Sequence, residues 1–214
     1  MRTAARYWVS ILFVGLAFVA SGLLYGKLPD PVPTRWGIYG EIIGLMPKPF
    51  GAFFLPFLSL LSCALLVAAP NLAPRGFSMA SFHRVYPTIV AAITGFSLYM
   101  TVVALLASSD GILDRSRVTA GAGVLLAVVG NYLGKVTRSF MGICTPWTLA
   151  NDVVWERTHR FAGRVFVVGG VIIFWLAITS PGQSVASLTI LAMTILAPIV
   201  YSFVAWLRLE RASR

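Results

Sequence analysis

Residues 8–25 read WVSILFVGLAFVASGLLY, an uninterrupted apolar run of about 18 residues. The whole chain is 58% hydrophobic and 11% charged, whereas soluble domains are roughly half apolar and about a quarter charged. A helix rises about 1.5 Å per residue, so a run of about 20 residues crosses the roughly 30 Å of hydrocarbon in a bilayer. The run therefore predicts a membrane-spanning helix, because a soluble core of this size is too small to bury so much apolar surface.

Five further runs of the same kind follow the first. We predict six spans, at residues 8–25, 51–69, 85–107, 118–133, 164–179 and 184–206. None of these spans contains Asp, Glu or Lys, whereas ion-coupled carriers usually hold an ionisable group near the middle of the membrane. The sequence therefore predicts an all-α, polytopic membrane bundle of six transmembrane helices and disfavours an ion-coupled pump.

The start of the chain also has features of a secretory signal peptide, since Arg2 and Arg6 precede the first run and small residues lie near its end. The apolar region of a signal peptide has about 7–15 residues, which is shorter than this run. We therefore interpret the run as a retained membrane anchor.

Lys and Arg are unevenly divided between the two sets of loops. Twelve of the 17 lie in the amino end, the second and fourth loops and the carboxyl tail, and five lie in the first and third loops. Because positively charged loops stay on the cytoplasmic side, we predict that both termini are cytoplasmic. The net charge of +10 fits contact with anionic membrane lipids. Nucleic acid is disfavoured as a direct partner, because the cations are spread over several loops.

Residue types that carry catalysis are scarce. Cys63 lies in the second span and Cys144 in the fourth loop, on different sides of the hydrocarbon, which disfavours a disulfide between them. The chain has no HExxH motif, no Gly-rich phosphate loop and no Ser-His-Asp constellation. We predict a protein that is not an enzyme and that holds no metal and no cofactor.

The first loop, residues 28–48, contains three prolines within five residues. They hold the backbone extended and remove amide donors, which predicts an ordered, semi-rigid loop that is neither a helix nor a flexible linker. One interpretation is an interfacial cap over the first two spans, and the other is a recognition surface on the outside of the membrane. The candidate residues are Pro29, Pro33, Thr34, Arg35, Trp36, Gly40 and Lys48.

The fourth loop has about 30 residues, and loops of that length usually have a function. Thr148 is a candidate cap for a short helix that runs from Leu149 to about Arg160. Apolar residues recur on it at spacings of three and four, which predicts an amphipathic helix on the cytoplasmic membrane surface. The stripe consists of Trp147, Val154, Trp155, Thr158 and then Phe161 or Ala162. His159 is either a sensor of pH or phosphate, or a hydrogen-bonded structural residue, which is the commoner case.

The order of spans and loops suggests an internal duplication. Residues 8–107 and residues 118–206 each contain a span, a long loop, a span, a short loop and a span. Because three is an odd number, two such halves would be inverted relative to each other in the membrane. This arrangement is found in small transporters.

Twelve residues of the second half form a motif. They are Asn131, Gly142, Ile143, Thr145, Pro146, Trp147, Thr148, Leu149, Trp155, Thr158, His159 and Gly163. The motif resembles the signature of the SdpI-type immunity proteins, which are bacterial six-span membrane proteins. Residues 28–48 resemble an amino-terminal domain of unknown function that is commonly fused ahead of it. The resemblance implies a two-span domain at residues 1–69 and a four-span domain at residues 70–214.

The resemblance also implies a function. The family's best-described member protects its producer against a secreted killing peptide and draws a small transcriptional repressor to the membrane. We therefore predict an immunity and signalling protein of the bacterial cytoplasmic membrane, with a secreted peptide toxin and a cytoplasmic repressor as partners. The alternative is a small transporter or exporter of a peptide or lipid-like molecule, built from two inverted three-helix halves.

Two positions depart from the family pattern. Arg35 stands where the family typically has His after Pro-Thr, and Cys144 stands where it typically has Arg before Thr-Pro-Trp. A proton switch at the first position and an anion clamp at the second are therefore not carried over to this chain.

Overall fold

The computed structural model describes residues 5–37, 39–72, 82–136, 142–180 and 184–212. Within these residues the chain forms seven α-helices, two short 3-10 segments and one β-hairpin. The elements are α1 Trp8–Leu24, β1 Val32–Trp36, β2 Ile42–Met46, α2 Lys48–Ala68, α3 Phe82–Asp110, α4 Arg115–Leu133, α5 Pro146–Ala150, α6 Asp152–Thr179 and α7 Ser184–Ala212.

The predicted six spans are confirmed, since every described helix except the five-residue α5 is long and apolar enough to cross a membrane. Two helices, α4 and α6, begin before their apolar runs because side-chain caps set their first residues. The Asp114 side chain accepts from the Ser116 N–H at 2.9 Å, so that α4 begins at Arg115. The Asn151 side chain accepts from the N–H groups of Val153 and Val154 at 2.8 and 3.2 Å, so that α6 begins twelve residues before its predicted span.

The predicted amphipathic surface helix from Leu149 to Arg160 is wrong. The short helix α5 ends at Ala150, Asn151 is extended, and the rest of the segment forms the first turns of α6. Most of the predicted apolar stripe is buried inside the protein, at Val154, Trp155, Thr158 and Ala162. Periodicity identified the apolar face of this segment, but it does not distinguish a membrane surface from neighbouring helices as the partner.

The first loop is ordered as predicted, and it contains secondary structure that the prediction did not include. Strands β1 and β2 pair in antiparallel fashion, with Val32 opposite Met46 and Trp36 opposite Ile42, and with irregular register between these pairs. The chain then enters α2. This small hairpin is the part of the described chain that departs from an all-helical fold.

The bundle consists of two groups of three long helices. In the first group α1 makes its most extensive contacts with α3, whereas in the second group α4 packs against α6 and α6 against α7. Contacts between α3 and α4 join the two groups. The groups therefore pair their helices differently, although an inverted duplication predicts the same pairing in both. The division into domains at residue 69 stays a prediction.

Helices α4 and α6 make the most extensive contact among the described helices, and two pairs of glycines face each other there. A Cβ atom added to Gly130 would lie 2.8 Å from the carbonyl oxygen of Gly163, and one added to Gly163 would lie equally close to that of Gly130. Gly123 and Gly170 are related in the same way, at 2.6 and 2.5 Å. Helices in lipid associate through such close backbone packing. This interface was not predicted from the sequence, although the glycines of each helix are seven residues apart, a spacing that places them on one face.

The loops divide between two ends of the bundle. We call the end with the hairpin and the α3–α4 turn the hairpin end, and the end with residues 142–160 the motif end. Which end faces the cytoplasm stays a prediction. Some of the cations on which that prediction rests lie outside the described residues, namely Arg2, Arg75, Arg138 and Arg214.

Candidate functional site

Trp155 lies at the centre of the motif end and is 1% exposed. Its Nε1 donates to the carbonyl oxygen of Val136 at 3.0 Å, just after α4 ends. Its ring stacks on the His159 ring with 3.9 Å between centroids and packs in one cluster with Tyr7 and Tyr86. Trp155 therefore ties α6 to the ends of α1, α3 and α4.

The His159 ring is fully used in hydrogen bonds. Its Nε2 accepts from the Ile143 N–H at 3.0 Å, so the ring proton lies on Nδ1, which donates to the Trp155 carbonyl oxygen at 2.9 Å. The side chain is buried, and neither nitrogen remains for phosphate. The structure thus agrees with the structural interpretation of this histidine.

Gly142 explains how the loop backbone comes so close to His159. Its φ is +137°, a conformation that other residues rarely adopt. A Cβ atom at this position would lie 2.5 Å from His159 Nε2 and 3.2 Å from the Trp155 ring. Glycine is therefore required here by both conformation and space.

Thr145 and Thr148 form a reciprocal capping box at the start of α5. Thr148 Oγ1 accepts from the Thr145 N–H and donates to the Ile143 carbonyl oxygen, each at 2.8 Å, while Thr145 Oγ1 accepts from the Thr148 N–H at 3.3 Å. Pro146 occupies the first helical position, where no N–H is needed. The prediction that Thr148 is the cap is thus wrong, because Thr145 holds that position.

Trp147 connects the loop to the last helix. Its Nε1 donates to Ser202 Oγ at 2.7 Å, and its ring packs against Phe203 and Trp206. On the other side of α5, Leu149 packs against the Trp155 cluster. We call this set of hydrogen-bonded and packed residues the clasp; it consists of Gly142, Ile143, Thr145, Pro146, Trp147, Thr148, Leu149, Trp155 and His159.

Three motif residues lie outside the clasp. Asn131 and Gly163 line a groove between α4 and α6. Thr158 is buried in α6, where its hydroxyl has no hydrogen-bond partner among the described residues. Cys144 is exposed overall, although partial burial raises the pKa of its thiol, which therefore stays protonated at neutral pH.

At the hairpin end, β1 is anchored to α2 and α3. Val32 is buried with Ala52 and Leu105, and a Cβ atom at Gly51 would lie 2.8 Å from the Val32 Cβ. Ser108 Oγ donates to the Pro33 carbonyl oxygen at 3.0 Å. The hairpin is therefore docked on the bundle.

Some of the predicted residues of the first loop contact the helix bundle, and others are exposed. Pro33, Thr34 and Trp36 line a small cavity of about 20 Å³ against α2 and α3, and the buried Trp36 Nε1 lacks a partner in the described structure. Pro29 and Arg35 are exposed, and the Arg35 side chain lies over Gly44 of β2.

Gly40 lies in the turn between β1 and β2, and Lys48 begins α2 just after the hairpin. Gly40 has a φ of +85°, and a Cβ atom there would lie 2.7 Å from the Leu113 carbonyl oxygen. Lys48 Nζ lies 5.1 Å from the centre of the Tyr25 ring. The backbone N–H of Lys48 donates to Asp30 Oδ1 at 3.3 Å.

Strand β2 carries an exposed apolar surface that is not among the residues predicted from the sequence. Its residues Ile42, Ile43 and Leu45 are exposed, with Ile43 at 61%, and Tyr39 of the preceding turn is also exposed. One edge of β2 pairs with β1, and the other edge pairs with no described residue. We call these four residues and the unpaired edge the β2 surface.

A separate apolar cavity lies between the two helix groups. It has a volume of about 320 Å³, and its lining includes Phe13, Gly95, Phe96, Tyr99, Gly121 and Phe174. The hydroxyl of Tyr99 donates to the Arg117 carbonyl oxygen at 2.8 Å. The cavity therefore has room for an apolar group and offers few polar contacts.

The membrane-length helices define a multi-pass membrane protein. Within it, residues 135–202 match the family described as the SdpI/YfhL protein family, and residues 12–60 match a domain of unknown function, DUF1648. The chain is 27% identical over 169 residues to "Immunity protein SdpI" of Bacillus subtilis (strain 168), covering 77% of this chain and 78% of that protein. These matches confirm the resemblance to the SdpI-type family. No solved structure matches the chain.

Proposed function

We propose that this protein is a membrane immunity protein that captures a secreted antimicrobial peptide on the β2 surface. Two findings support immunity: the match to the SdpI/YfhL family and the similarity to a protein named as an immunity protein. The observation that carries the binding site is the exposure of Ile42, Ile43 and Leu45 on a strand whose outer edge is unpaired among the described residues.

The geometry suits an extended apolar peptide. An unpaired strand edge offers N–H and C=O groups at regular spacing, and exposed side chains next to it add apolar contact. The strand is held in place through Val32 and Pro33 of its partner strand, so little conformational entropy is lost on binding. This interpretation selects recognition over a purely interfacial cap for the first loop.

The test is survival of cells that lack this gene in culture medium spent by their parent strain. We expect the wild-type gene to restore survival. We expect a triple variant, Ile42→Asn, Ile43→Asn and Leu45→Asn, to reach the membrane in normal amount without restoring survival. The matched control is Ile112→Asn, because Ile112 is 73% exposed in the α3–α4 turn at the same end of the bundle.

Immunity and the position of the binding site would be contradicted by different results. Equal survival of cells with and without the gene, under conditions in which it is expressed, would overturn immunity. Full protection by the triple variant would overturn the β2 surface as the binding site while leaving immunity standing. Loss of protection in Ile112→Asn as well would show that exposed apolar residues of this end act as membrane anchors.

The orientation and the signalling partner are part of the same proposal. We propose that the motif end and both termini face the cytoplasm from the inner membrane, and that the exposed start of α6 docks a cytoplasmic repressor. The exposed cation Arg157 on this segment supports an acidic partner surface. A fluorescent fusion of a repressor encoded beside this gene should move to the membrane with wild type and stay in the cytoplasm with Arg157→Glu. Cytoplasmic fluorescence with wild type would contradict docking.

Transport of a lipid-like molecule is the second candidate, and the cavity between the helix groups is the observation that favours it. Val124 lines this cavity, so Val124→Trp should fill part of it. Full protection by Val124→Trp supports capture at the hairpin end. Loss of protection, with normal protein in the membrane, supports transport through the bundle.

A further inference from the structure

We propose that an anionic phospholipid binds at the motif end, in a groove along α4, α6 and α7, with its phosphate beside Lys135, Arg160 and Arg164. The groove has two parts, and the side chains of Arg164 and Val168 line both of them. One part is basic and the other is apolar, as a phospholipid headgroup and its acyl chains require. This inference is independent of the peptide-binding proposal.

The basic part exists because glycines bring two helices together. Gly130 and Gly134 of α4 and Gly163 of α6 lie along it where the two backbones pack closely, and a trough of about 440 Å³ runs beside this contact. Polar side chains stand around this trough, namely Asn131, Lys135, Arg160 and Arg164. A phosphate group can therefore approach the helix backbones closely while the cations surround it.

The charges in this part are unbalanced. Arg160 pairs with Glu156 at 2.6 Å, and Lys135 Nζ lies 5.0 Å from the centre of the Tyr132 ring. Three cations and one carboxylate leave an excess of two positive charges at this position. A lipid phosphate diester carries one negative charge, so an anionic lipid headgroup complements the groove.

The apolar part lies between α6 and α7 and also encloses about 440 Å³. Its walls include Val168, Ile172, Ile190 and Met193. The hydroxyl groups of Thr189 and Thr194, which also line it, donate to carbonyl oxygens of their own helix at 2.8 and 2.7 Å. The threonines therefore need no partner from a ligand, and the groove suits an acyl chain.

The depth of Arg164 in the membrane fits this assignment. The apolar residues that follow it in α6, residues 165–179, cover about 22 Å as a helix, which is less than the roughly 30 Å of hydrocarbon. With Thr179 at the opposite boundary, the Arg164 backbone lies inside the hydrocarbon edge, and only its long side chain reaches the level of the lipid phosphates. A cation at this depth is stabilised by extending toward the headgroups.

The test is native mass spectrometry of the full-length protein with phosphatidylglycerol or phosphatidylcholine of identical acyl chains. We expect wild type to retain phosphatidylglycerol preferentially. We expect Lys135→Gln combined with Arg164→Gln to lower that preference by about tenfold or more, because each cation near the headgroup contributes about fivefold. Ala197→Phe, which narrows the apolar part, should lower retention of both lipids. Helix content and elution volume identify any variant that has not folded.

The matched control is Arg208→Gln, since Arg208 is an exposed cation of α7 that lines neither part of the groove. We expect this variant to retain the wild-type preference. An equal loss in Arg208→Gln and in the double variant would overturn the proposal in favour of general electrostatic attraction. Displacement of the lipid by millimolar inorganic phosphate would also overturn it, because the site would then bind phosphate without the acyl chains.

Discussion

The two ends of the bundle differ in how completely their polar groups are paired. At the motif end, both nitrogens of His159 and the hydroxyl groups of Thr145 and Thr148 have fixed partners. At the hairpin end, β2 keeps one edge that no described residue pairs, and Ile43 projects outward. Most of the twelve-residue motif therefore holds the helices together. The surface that we propose for binding belongs to the segment with the weaker sequence signature.

Removal of the central clasp side chain should have the largest effect on stability. Trp155→Ala would leave a cavity among α1, α3, α4 and α6 and would remove the hydrogen bond to Val136. We expect the free energy of unfolding to fall by about 3–5 kcal/mol, measured by denaturant unfolding in detergent. The control Trp8→Ala, at a tryptophan that is 60% exposed, should change it by less than about 0.5 kcal/mol. Similar losses in both variants would contradict a central role for the clasp.

A side chain at the glycine interface should have the next largest effect. Gly130→Val would place a Cβ atom against the Gly163 carbonyl oxygen and force α4 and α6 apart. We expect a loss of about 1–3 kcal/mol in the free energy of unfolding. Gly15→Val is the matched control, because its Cβ would have no neighbour within 4 Å. Wild-type stability of Gly130→Val would show that the helices separate without cost.

The link between the loop and α7 should contribute less. Trp147→Phe keeps an aromatic ring beside Phe203 and Trp206 but loses the hydrogen bond to Ser202. We expect a loss of about 1 kcal/mol in this variant and in Ser202→Ala. If the two groups act as a pair, the double variant should lose little more than either single variant. Additive losses in this double-mutant cycle would contradict the hydrogen bond.

The single variant Ile43→Asn should have the smallest effect on stability. Its side chain is largely exposed, so we expect the unfolding free energy to change by less than about 0.5 kcal/mol. Survival in spent medium should nevertheless fall, because the change places a polar group on the β2 surface. This variant therefore separates binding from stability at the hairpin end. A large loss of stability together with retained protection would reverse the assignment of roles to the two ends.

The sequence predicted the helices far better than their contacts. Apolar runs located all six spans, because lipid imposes a minimum length on each helix. The start of α6 could not be placed, since the cap at Asn151 depends on two backbone N–H groups and adds no hydrophobic signal. The paired glycines were missed for a related reason: small residues are common in membrane helices, and a single sequence does not show which of them meet.

The candidate site was predicted in part. The motif singled out Trp147, Trp155 and His159, which the structure places in one connected set. Their arrangement could not be predicted, because it depends on residues distant in sequence such as Val136 and Ser202. The hairpin was not predicted, since consecutive apolar residues at Ile42 and Ile43 break the alternation that is typical of a half-buried strand.

The clasp also constrains the order in which the protein is made. Tyr7 precedes α1 and Ser202 lies in α7, and Trp155 and Trp147, which contact them, are only eight residues apart. Ser202 follows Trp147 by 55 residues, so the clasp closes only after α7 has been synthesised and inserted. A chain truncated before α7 would contain α1 to α6 but would lack the hydrogen bond from Trp147 to Ser202. The hydrogen bond between Trp147 and Ser202 is therefore a marker of α7 having packed against the rest of the bundle.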